Sequence, residues 1–238
     1  MAGLGTVANV SAILVAGVLG TFFGDLLKEK LQDGLLKATS ICVIFIGIAG
    51  AMEQMLKISE GHLASNGSMM MVCCFIVGTL IGEIIDIEDK LERLGSWLKV
   101  KSKSEGDGGF VDAFVTASLT VCIGAMAIVG AIQDGMLGDY TTLCIKAVLD
   151  FIIIFVMAST MGKGCTFSAI PVGILQGSIT ILASFLAPVM TPLALSYISL
   201  TGSVMIFCVG VNLVWGKLVR VANMLPTLVI AVLWTLYA

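Results

Sequence analysis

TTLCIKAVLDFIIIFVMASTM is the sequence of residues Thr141–Met161, and it is strongly apolar apart from Lys146 and Asp150. A helix of about 20 apolar residues crosses the hydrocarbon core of a membrane. The two charged residues are four positions apart, so they share one helix face. Because charges at this depth are costly unless paired or hydrated, they predict a functional site. A structural ion pair that only neutralises both charges is the alternative.

The composition of the whole chain agrees with this interpretation. Of its 238 residues, 58% are hydrophobic and 12% are charged, whereas soluble domains carry about 25% charge. Because the chain is so apolar, we predict an all-α integral membrane protein whose partner is the surrounding lipid bilayer. No basic tract indicates nucleic-acid binding.

Catalytic and cofactor motifs are missing from the sequence. His62 is the only histidine, the seven cysteines form no C-x-x-C pair, and there is no nucleotide-binding loop. The sequence therefore predicts neither an enzyme, nor a metal site, nor a cofactor.

Hydropathy predicts about eight membrane spans in a single domain over residues 1–238. Their predicted bounds are Gly3–Gly24, Ala38–Met55, Met69–Ile87, Phe110–Ile132, Thr141–Met161, Phe167–Ala187, Leu193–Val214 and Ala222–Ala238. The last span is the shortest and contains Pro226.

The basic residues support an even number of spans. With eight spans, one side of the membrane holds all lysines and arginines except Lys57 and Lys146. Basic loops stay in the cytoplasm, so both termini are predicted to be non-cytoplasmic.

The longest connection, residues 86–109, contains an amphipathic pattern. Ile87, Leu91, Leu94 and Leu98 recur at helical spacing between charged residues, and Trp97 is close by. This predicts a helix on the cytoplasmic surface followed by a glycine-rich linker.

Two short motifs recur and predict repeated, parallel-related helix hairpins at 3–57 and 69–135. GTFFGDLL, with Gly20 and Gly24, recurs as GTLIGEII, with Gly78 and Gly82, and GIAGAMEQ from Gly47 recurs as AIVGAIQD from Ala127. Such glycine faces allow close helix packing and predict a homo-oligomer. Residues 136–188 then form the core site segments, and residues 193–238 a C-terminal hairpin.

Three further residues are predicted to complete a substrate site with Lys146 and Asp150. Pro171 interrupts the sixth span, and Gln176 follows it near the membrane midplane. Broken helices at this depth expose backbone groups that can bind a solute or ion, although a tolerated kink is equally consistent. Asn9 in the first span is either a ligand or an interhelical hydrogen-bond donor.

Polar residues at the predicted ends of the spans are candidates for a gate or vestibule. Solvated turns and solvated interfacial carboxylates are the alternative interpretation. The candidates at the outer end are Glu53, Gln54, Gln133 and Asp134, and those at the inner end are Glu83 and Asp112.

The runs FVTASL from Phe114, CIGAMAI from Cys122, IQDG from Ile132 and FSAIPV from Phe167 occur in order along the chain. Together with Gly82–Gly95 and the opening Gly5-Thr motif, they resemble an uncharacterised bacterial membrane-protein family, domain of unknown function 554 (YdfK/YqgA-like). The resemblance implies a bacterial cytoplasmic-membrane protein. It implies no substrate and no catalytic residue.

The sequence therefore predicts a secondary transporter that moves a small solute or ion past Lys146, Asp150 and Gln176. A passive channel is one alternative. A membrane scaffold or sensor that acts through helix 86–101 is the other.

Overall fold

The computed structural model describes residues 3–26, 28–59, 62–104, 106, 108–122, 125–188 and 190–235. This part of the chain is helical except for short connections and one β-hairpin, as predicted for an all-α membrane protein. The helices are α1 (Leu4–Leu26), α2 (Glu29–Met55), α3 (Ser68–Ile85), α4 (Ile87–Lys101), α5 (Phe110–Cys122), α6 (Ala125–Leu137), α7 (Thr141–Met161), α8 (Ala169–Ile181), α9 (Ala183–Leu186), α10 (Pro192–Trp215) and α11 (Pro226–Trp234). The strands β1 (Leu56–Ser59) and β2 (His62–Ser65) pair between α2 and α3.

Within the described residues, six segments are long and apolar enough to cross a membrane. They are Leu4–Gly24, Asp33–Met55, Ser68–Ile85, Thr141–Met161, Lys163–Ile181 and Pro192–Trp215. A seventh results if α5 and α6 count as one span, and Val221–Trp234 is a shorter apolar helix. The predicted number of eight spans stays a prediction.

The fourth predicted span, Phe110–Ile132, comprises two helices, and that they cross the membrane as one span stays a prediction. Its halves α5 and α6 are inclined at 62° to one another. Helix α5 therefore ends inside the bundle, and its C-terminal carbonyl groups lie at the depth of the charged residues of α7.

Glycines bring α1 and α7 together in parallel orientation. A Cβ atom on Gly20 would lie 2.3 Å from the Phe155 carbonyl oxygen, and one on Gly24 would lie 2.5 Å from that of Ser159. Because lipid supplies no hydrophobic drive between helices, this close backbone packing is what holds the pair together.

The second glycine pair packs against a different partner. Gly78 contacts Thr227 and Gly82 contacts Asn223, so α3 runs antiparallel to α11 and to the turn before it. Both glycine faces that were predicted to join copies of the chain are thus covered within one chain. A homo-oligomer would need another surface, and the hairpin repeat stays a prediction.

The same local motif joins α7 to α8 and α10 to α11. Helix α7 ends at Gly162 (φ 88°) and α10 ends at Gly216 (φ 83°). In both cases a lysine follows, and a 3-10 turn (Lys163–Ser168 or Val221–Met224) leads to a helix with proline in its first turn. Positive φ favours glycine, which explains why it ends both helices.

The amphipathic helix is confirmed as α4. Leu98 is buried, and Leu91 and Leu94 pack against the core formed by α5, α10 and the turn before α11. Trp97 is 57% exposed, and the Lys101 ammonium lies 5.6 Å from its ring. We call the end of the bundle that carries α4 the α4 side, and it is the side predicted to be cytoplasmic.

Candidate functional site

Lys146 and Asp150 of α7 form a buried ion pair. The Lys146 ammonium donates to both carboxylate oxygens of Asp150, at 2.7 and 2.5 Å. The two residues are 7% and 3% exposed. Such a pair is stable at this depth only because its charges cancel and its polar atoms are bonded.

The third hydrogen bond of Lys146 reaches another helix. The ammonium donates to the Val121 carbonyl oxygen at 2.8 Å, in the last turn of α5. Carbonyl groups at the C-terminus of a helix lack helical partners and carry partial negative charge. The end of α5 therefore contributes a polar group at the place where the fourth span changes direction.

Asn9 of α1 completes the contacts of the carboxylate. Its side-chain nitrogen donates to Asp150 Oδ2 at 3.0 Å, and Asn9 is fully buried. Its own oxygen, Oδ1, has no hydrogen-bond partner among the described residues. The interhelical hydrogen bond that was predicted as one role of Asn9 is therefore present. Its side-chain oxygen can still accept a bond from a further donor or contact a cation.

Gln176 of α8 lies at the same level as Asn9. Two contacts between α8 and α1 lie on either side of it. Gly173 packs against Val10, and the hydroxyl groups of Thr180 and Thr6 lie 3.4 Å apart. Gln176 is therefore opposite the part of α1 between Thr6 and Val10. Gln176 is 1% exposed, and within the described chain neither atom of its amide has a partner. Leaving a buried polar group unpaired costs about 1–3 kcal/mol.

Pro171 does not break its helix as the sequence predicted. It lies in the first turn of α8, directly after the 3-10 turn. Backbone N–H groups in a first turn have no helical acceptor, so proline there removes no helical hydrogen bond. With Cys122 and Leu175 it borders an apolar cavity of about 220 Å³.

The candidates predicted at the outer mouth mainly connect helices. The Asp134 carboxylate is fully buried and accepts bonds from the backbone nitrogens of Gly3 (3.1 Å) and Gly5 (3.0 Å) at the start of α1. Gln133 Oε1 accepts a bond from the Thr142 hydroxyl at 2.7 Å. These contacts close the bundle at the end opposite α4.

The other pair of outer candidates lies near the end of α2. Gln54 Oε1 accepts a bond from the Ser196 hydroxyl at 2.7 Å, which ties α2 to α10. Glu53 is exposed.

Charged residues on the α4 side form two groups that hold α4 and α11 to the bundle. Arg220 pairs with Glu83 and with Asp86. Burial would raise the pKa of Asp86, but the guanidinium of Arg220 lowers it overall. Burial would likewise lower the pKa of Lys217, but the carboxylates of Glu88 and Glu92 raise it overall.

Glu88 is the main residue that sequence analysis missed. It is 2% exposed, lies 2.7 Å from the Lys217 ammonium and accepts a bond from the Ala222 nitrogen at 3.2 Å. Its own nitrogen donates to Asn223 Oδ1 at 2.8 Å. The signal was its position on the apolar face of α4, three residues before Leu91 and ten before Leu98.

A cavity of about 240 Å³ opens among these charged groups. Glu88, Glu92, Lys217 and the exposed Asp112 border it. It follows one face of α5 as far as Leu119, two residues before Val121. In the described part of the chain, no three His, Cys, Asp or Glu side chains are placed to hold a metal ion.

Apolar helices that enclose an ion pair and unpaired amides define a multi-pass α-helical membrane protein with an internal polar site. The chain belongs to the family described as "Protein of unknown function (DUF554)", which it matches over residues 4–236. This match confirms the resemblance seen in the sequence motifs.

Two curated relatives cover nearly the whole chain. The "Uncharacterized membrane protein YdfK" of Bacillus subtilis (strain 168) is 28% identical over 226 residues, which are 95% of this chain and 93% of that protein. The "Uncharacterized protein YqgA" of Escherichia coli (strain K12) is 27% identical over 232 residues, 96% of this chain and 94% of that protein. No solved structure matches the chain.

Proposed function

We propose that this protein is a secondary carrier that moves a small solute or ion across the bacterial cytoplasmic membrane. Its site would be formed by Lys146, Asp150, Asn9 and Gln176. The observation that supports it best is the buried ion pair placed against the end of α5. Transporters commonly bind their substrates near the midplane, where a helix is interrupted.

The unpaired amides favour a binding site over a purely structural ion pair. Nearly all buried polar groups in proteins are hydrogen-bonded, yet Asn9 Oδ1 and both polar atoms of Gln176 have no partner among the described residues. A structural pair has no need of unbonded amides at its own depth. A bound solute or ion would satisfy them.

In this proposal the cavity on the α4 side is where the solute enters, and it would have to extend along α5 beyond Leu119 to reach the ion pair. Asp112, Thr116 and Leu119 lie on one face of α5 and border the cavity. At the opposite end, Asp134 and Gln133 hold α1, α6 and α7 together. A carrier would open these outer contacts and close the cavity in the second half of its cycle.

A ligand screen on the purified protein tests the proposal. Thermal unfolding is measured with alkali salts, amino acids, organic acids and polyamines for the wild type, Asp150→Asn and the surface control Asp33→Asn. A ligand that binds the folded state raises its unfolding temperature. We expect one class to stabilise the wild type and the control but not Asp150→Asn, and to be taken up by proteoliposomes with saturation.

Two results would contradict a carrier. An ohmic current without saturation would indicate the channel alternative. Equal responses of wild type and Asp150→Asn to every compound would remove the site from the proposal. In that case charge reversals on α4 would test the scaffold alternative.

A further inference from the structure

We propose that the exposed face of α4 binds the anionic headgroups of phospholipids in the surrounding membrane. This basic face consists of Lys90, Arg93, Trp97, Val100 and Lys101. Its role goes beyond the proposed carrier function and does not depend on it.

Helical spacing places these residues on one side of α4. Lys90, Arg93, Trp97 and Lys101 are three or four positions apart, and Val100 borders them. With 3.6 residues per turn, the five cover about 100° of the helix circumference. All five are exposed, Trp97 at 57% and Val100 at 62%. Three positive charges therefore surround one exposed aromatic ring.

The opposite side of α4 is docked on the bundle. Leu98 and Gly95 are buried there. A Cβ atom on Gly95 would lie 2.9 Å from the Phe114 ring and 3.3 Å from the Val111 side chain, so α4 packs against the side of the first two turns of α5. The basic face is therefore turned away from the bundle.

The end of α3 determines the depth at which α4 begins. Ile84 and Ile85 in the last turn of α3 are 84% and 44% exposed, and α3 is one of the segments apolar enough to cross a membrane. Exposed apolar side chains of such a span lie against lipid. Only Asp86 separates α3 from α4. Helix α4 therefore begins near the boundary between hydrocarbon and headgroups, the level at which tryptophan is enriched.

The acidic side chains of α4 leave most of the positive charge of the basic face in place. Glu88 and Glu92 both pair with Lys217 of the bundle. Asp89 pairs with Arg93 at 2.6 Å, so it offsets one charge of the face.

Lys90 and Lys101 supply the charge that remains. In the described parts of the chain, neither ammonium forms an ion pair with a carboxylate. The Lys101 ammonium lies 5.6 Å from the Trp97 ring, an arrangement that keeps the charge at the level of the tryptophan. Basic clusters beside a membrane attract anionic lipids, and ammonium and guanidinium groups donate to phosphate oxygens.

An acidic protein segment is the alternative occupant of a basic helix face. The apolar side chains of Trp97 and Val100 favour lipid, because a membrane interface accommodates apolar groups and charges side by side. The position of α4 directly after the lipid-facing end of α3 favours it as well.

A protein with Trp97 as its only tryptophan reports which lipid lies beside this face. The other two tryptophans, Trp215 and Trp234, are replaced by phenylalanine, and the full chain is reconstituted into liposomes of phosphatidylcholine and phosphatidylglycerol. Bromine atoms on the acyl chains of one of the two lipids, near the headgroup, quench adjacent tryptophan fluorescence.

Brominated phosphatidylglycerol is expected to quench Trp97 more strongly than the same mole fraction of brominated phosphatidylcholine does. The relative affinity for the anionic lipid should be at least roughly fivefold higher, the effect of about one basic residue at a membrane surface. High salt should reduce this preference because it screens the charges.

The matched variants each remove two positive charges from the α4 side. Lys90→Gln combined with Lys101→Gln changes the basic face and should abolish the preference for phosphatidylglycerol. Lys37→Gln combined with Lys163→Gln removes two exposed lysines outside α4 and should leave the preference unchanged. Lys90→Arg combined with Lys101→Arg should also keep it, because the charges are retained.

Three results would overturn the inference. The first is equal quenching by both lipids in the protein with unchanged lysines. The second is a preference that persists in the Lys90→Gln, Lys101→Gln variant. The third is quenching of Trp97 by aqueous iodide but by neither brominated lipid, which would show a face turned to water and favour the acidic-protein alternative.

The design does not depend on the folding of one variant or on transport. The substituted lysines are exposed, and the salt dependence is measured with the lysines unchanged. Transport through the Lys146–Asp150 site is tested separately by the ligand screen, so either proposal can fail while the other stands.

Discussion

Replacement of Gly82 by alanine tests the close packing of α3 against the segment that leads into α11. The added Cβ atom would lie 1.7 Å from the Asn223 carbonyl oxygen, whereas ordinary contacts begin at 3.4 Å. Because the obstacle is backbone, the two segments must separate. Overpacking costs about 1–3 kcal/mol, and the separation also strains the bond from the Glu88 nitrogen to Asn223 Oδ1, worth about 1 kcal/mol.

Alanine recovers about 1 kcal/mol through its higher helix propensity. We therefore expect Gly82→Ala to lose about 1–3 kcal/mol of unfolding free energy, since the strained hydrogen bond and the gain in helix propensity roughly cancel. Gly34→Ala is the matched control, since a Cβ atom there meets no atom within 4 Å. It should gain about 0.5–1 kcal/mol.

Unfolding in mixed micelles with increasing sodium dodecyl sulfate, followed by tryptophan fluorescence, measures both variants. Opposite shifts of the two midpoints are expected. If Gly82→Ala unfolds at the wild-type midpoint, the contact between α3 and Asn223 is not as close as the structure shows, and the argument for backbone packing at this position fails.

Three further predictions concern the ends of the bundle. Asp134→Ala should destabilise the protein by about 1–2 kcal/mol because the first N–H groups of α1 lose their acceptor, and hydrogen exchange at Gly5 should accelerate, whereas Asp134→Asn should retain part of the protection. Glu88→Ala should reduce the free energy that holds α4 against the bundle by about 2–4 kcal/mol, because it leaves the Ala222 N–H buried without an acceptor. Glu88→Gln should reduce it less. Proteolysis of α4 at the wild-type rate in the alanine variant would contradict this prediction. At pH values above the ordinary aspartate pKa, Asp86→Asn should lower the unfolding temperature, because the pKa of Asp86 is lowered in the folded state and its charge stabilises the fold there. This stabilising contribution disappears as the pH falls through the lowered pKa of Asp86. A difference from wild type that persists in stronger acid would refute the assignment to Asp86.

Local features of the fold followed from the sequence. The spacing of Lys146 and Asp150 placed both side chains on one face of α7, and the apolar spacing in α4 predicted its docked face. Both depend only on helix geometry within a few residues. The same is true of the apolar segments that mark the spans.

Contacts between distant residues could not be predicted in this way. Asn9 and Asp150 are 141 positions apart, and no spacing rule relates α1 to α7. The Val121 carbonyl accepts a hydrogen bond from Lys146 because α5 ends at Cys122 and α6 takes another direction. The sequence there offers only a glycine as a signal, and glycine is common in membrane helices.

The burial of Glu88 could not be predicted from the sequence for a related reason. A carboxylate in a charged amphipathic segment is expected to be solvated. Only the contacts of Glu88 with Lys217 and Ala222 show that it is buried instead. The partners of its carboxylate, Lys217 and Ala222, lie at the joint between α10 and α11, far away along the chain.

The position of both charged residues on one helix also affects how the protein is inserted into the membrane during synthesis. An isolated lysine or aspartate at the centre of an inserting helix costs about 2.5–3.5 kcal/mol. Because Lys146 and Asp150 are one turn apart on α7, they can pair within the nascent helix, before any other helix has arrived. Helix α7 can therefore enter the bilayer as a neutral unit, and the contacts with Asn9 and Val121 form afterwards, when the inserted helices assemble.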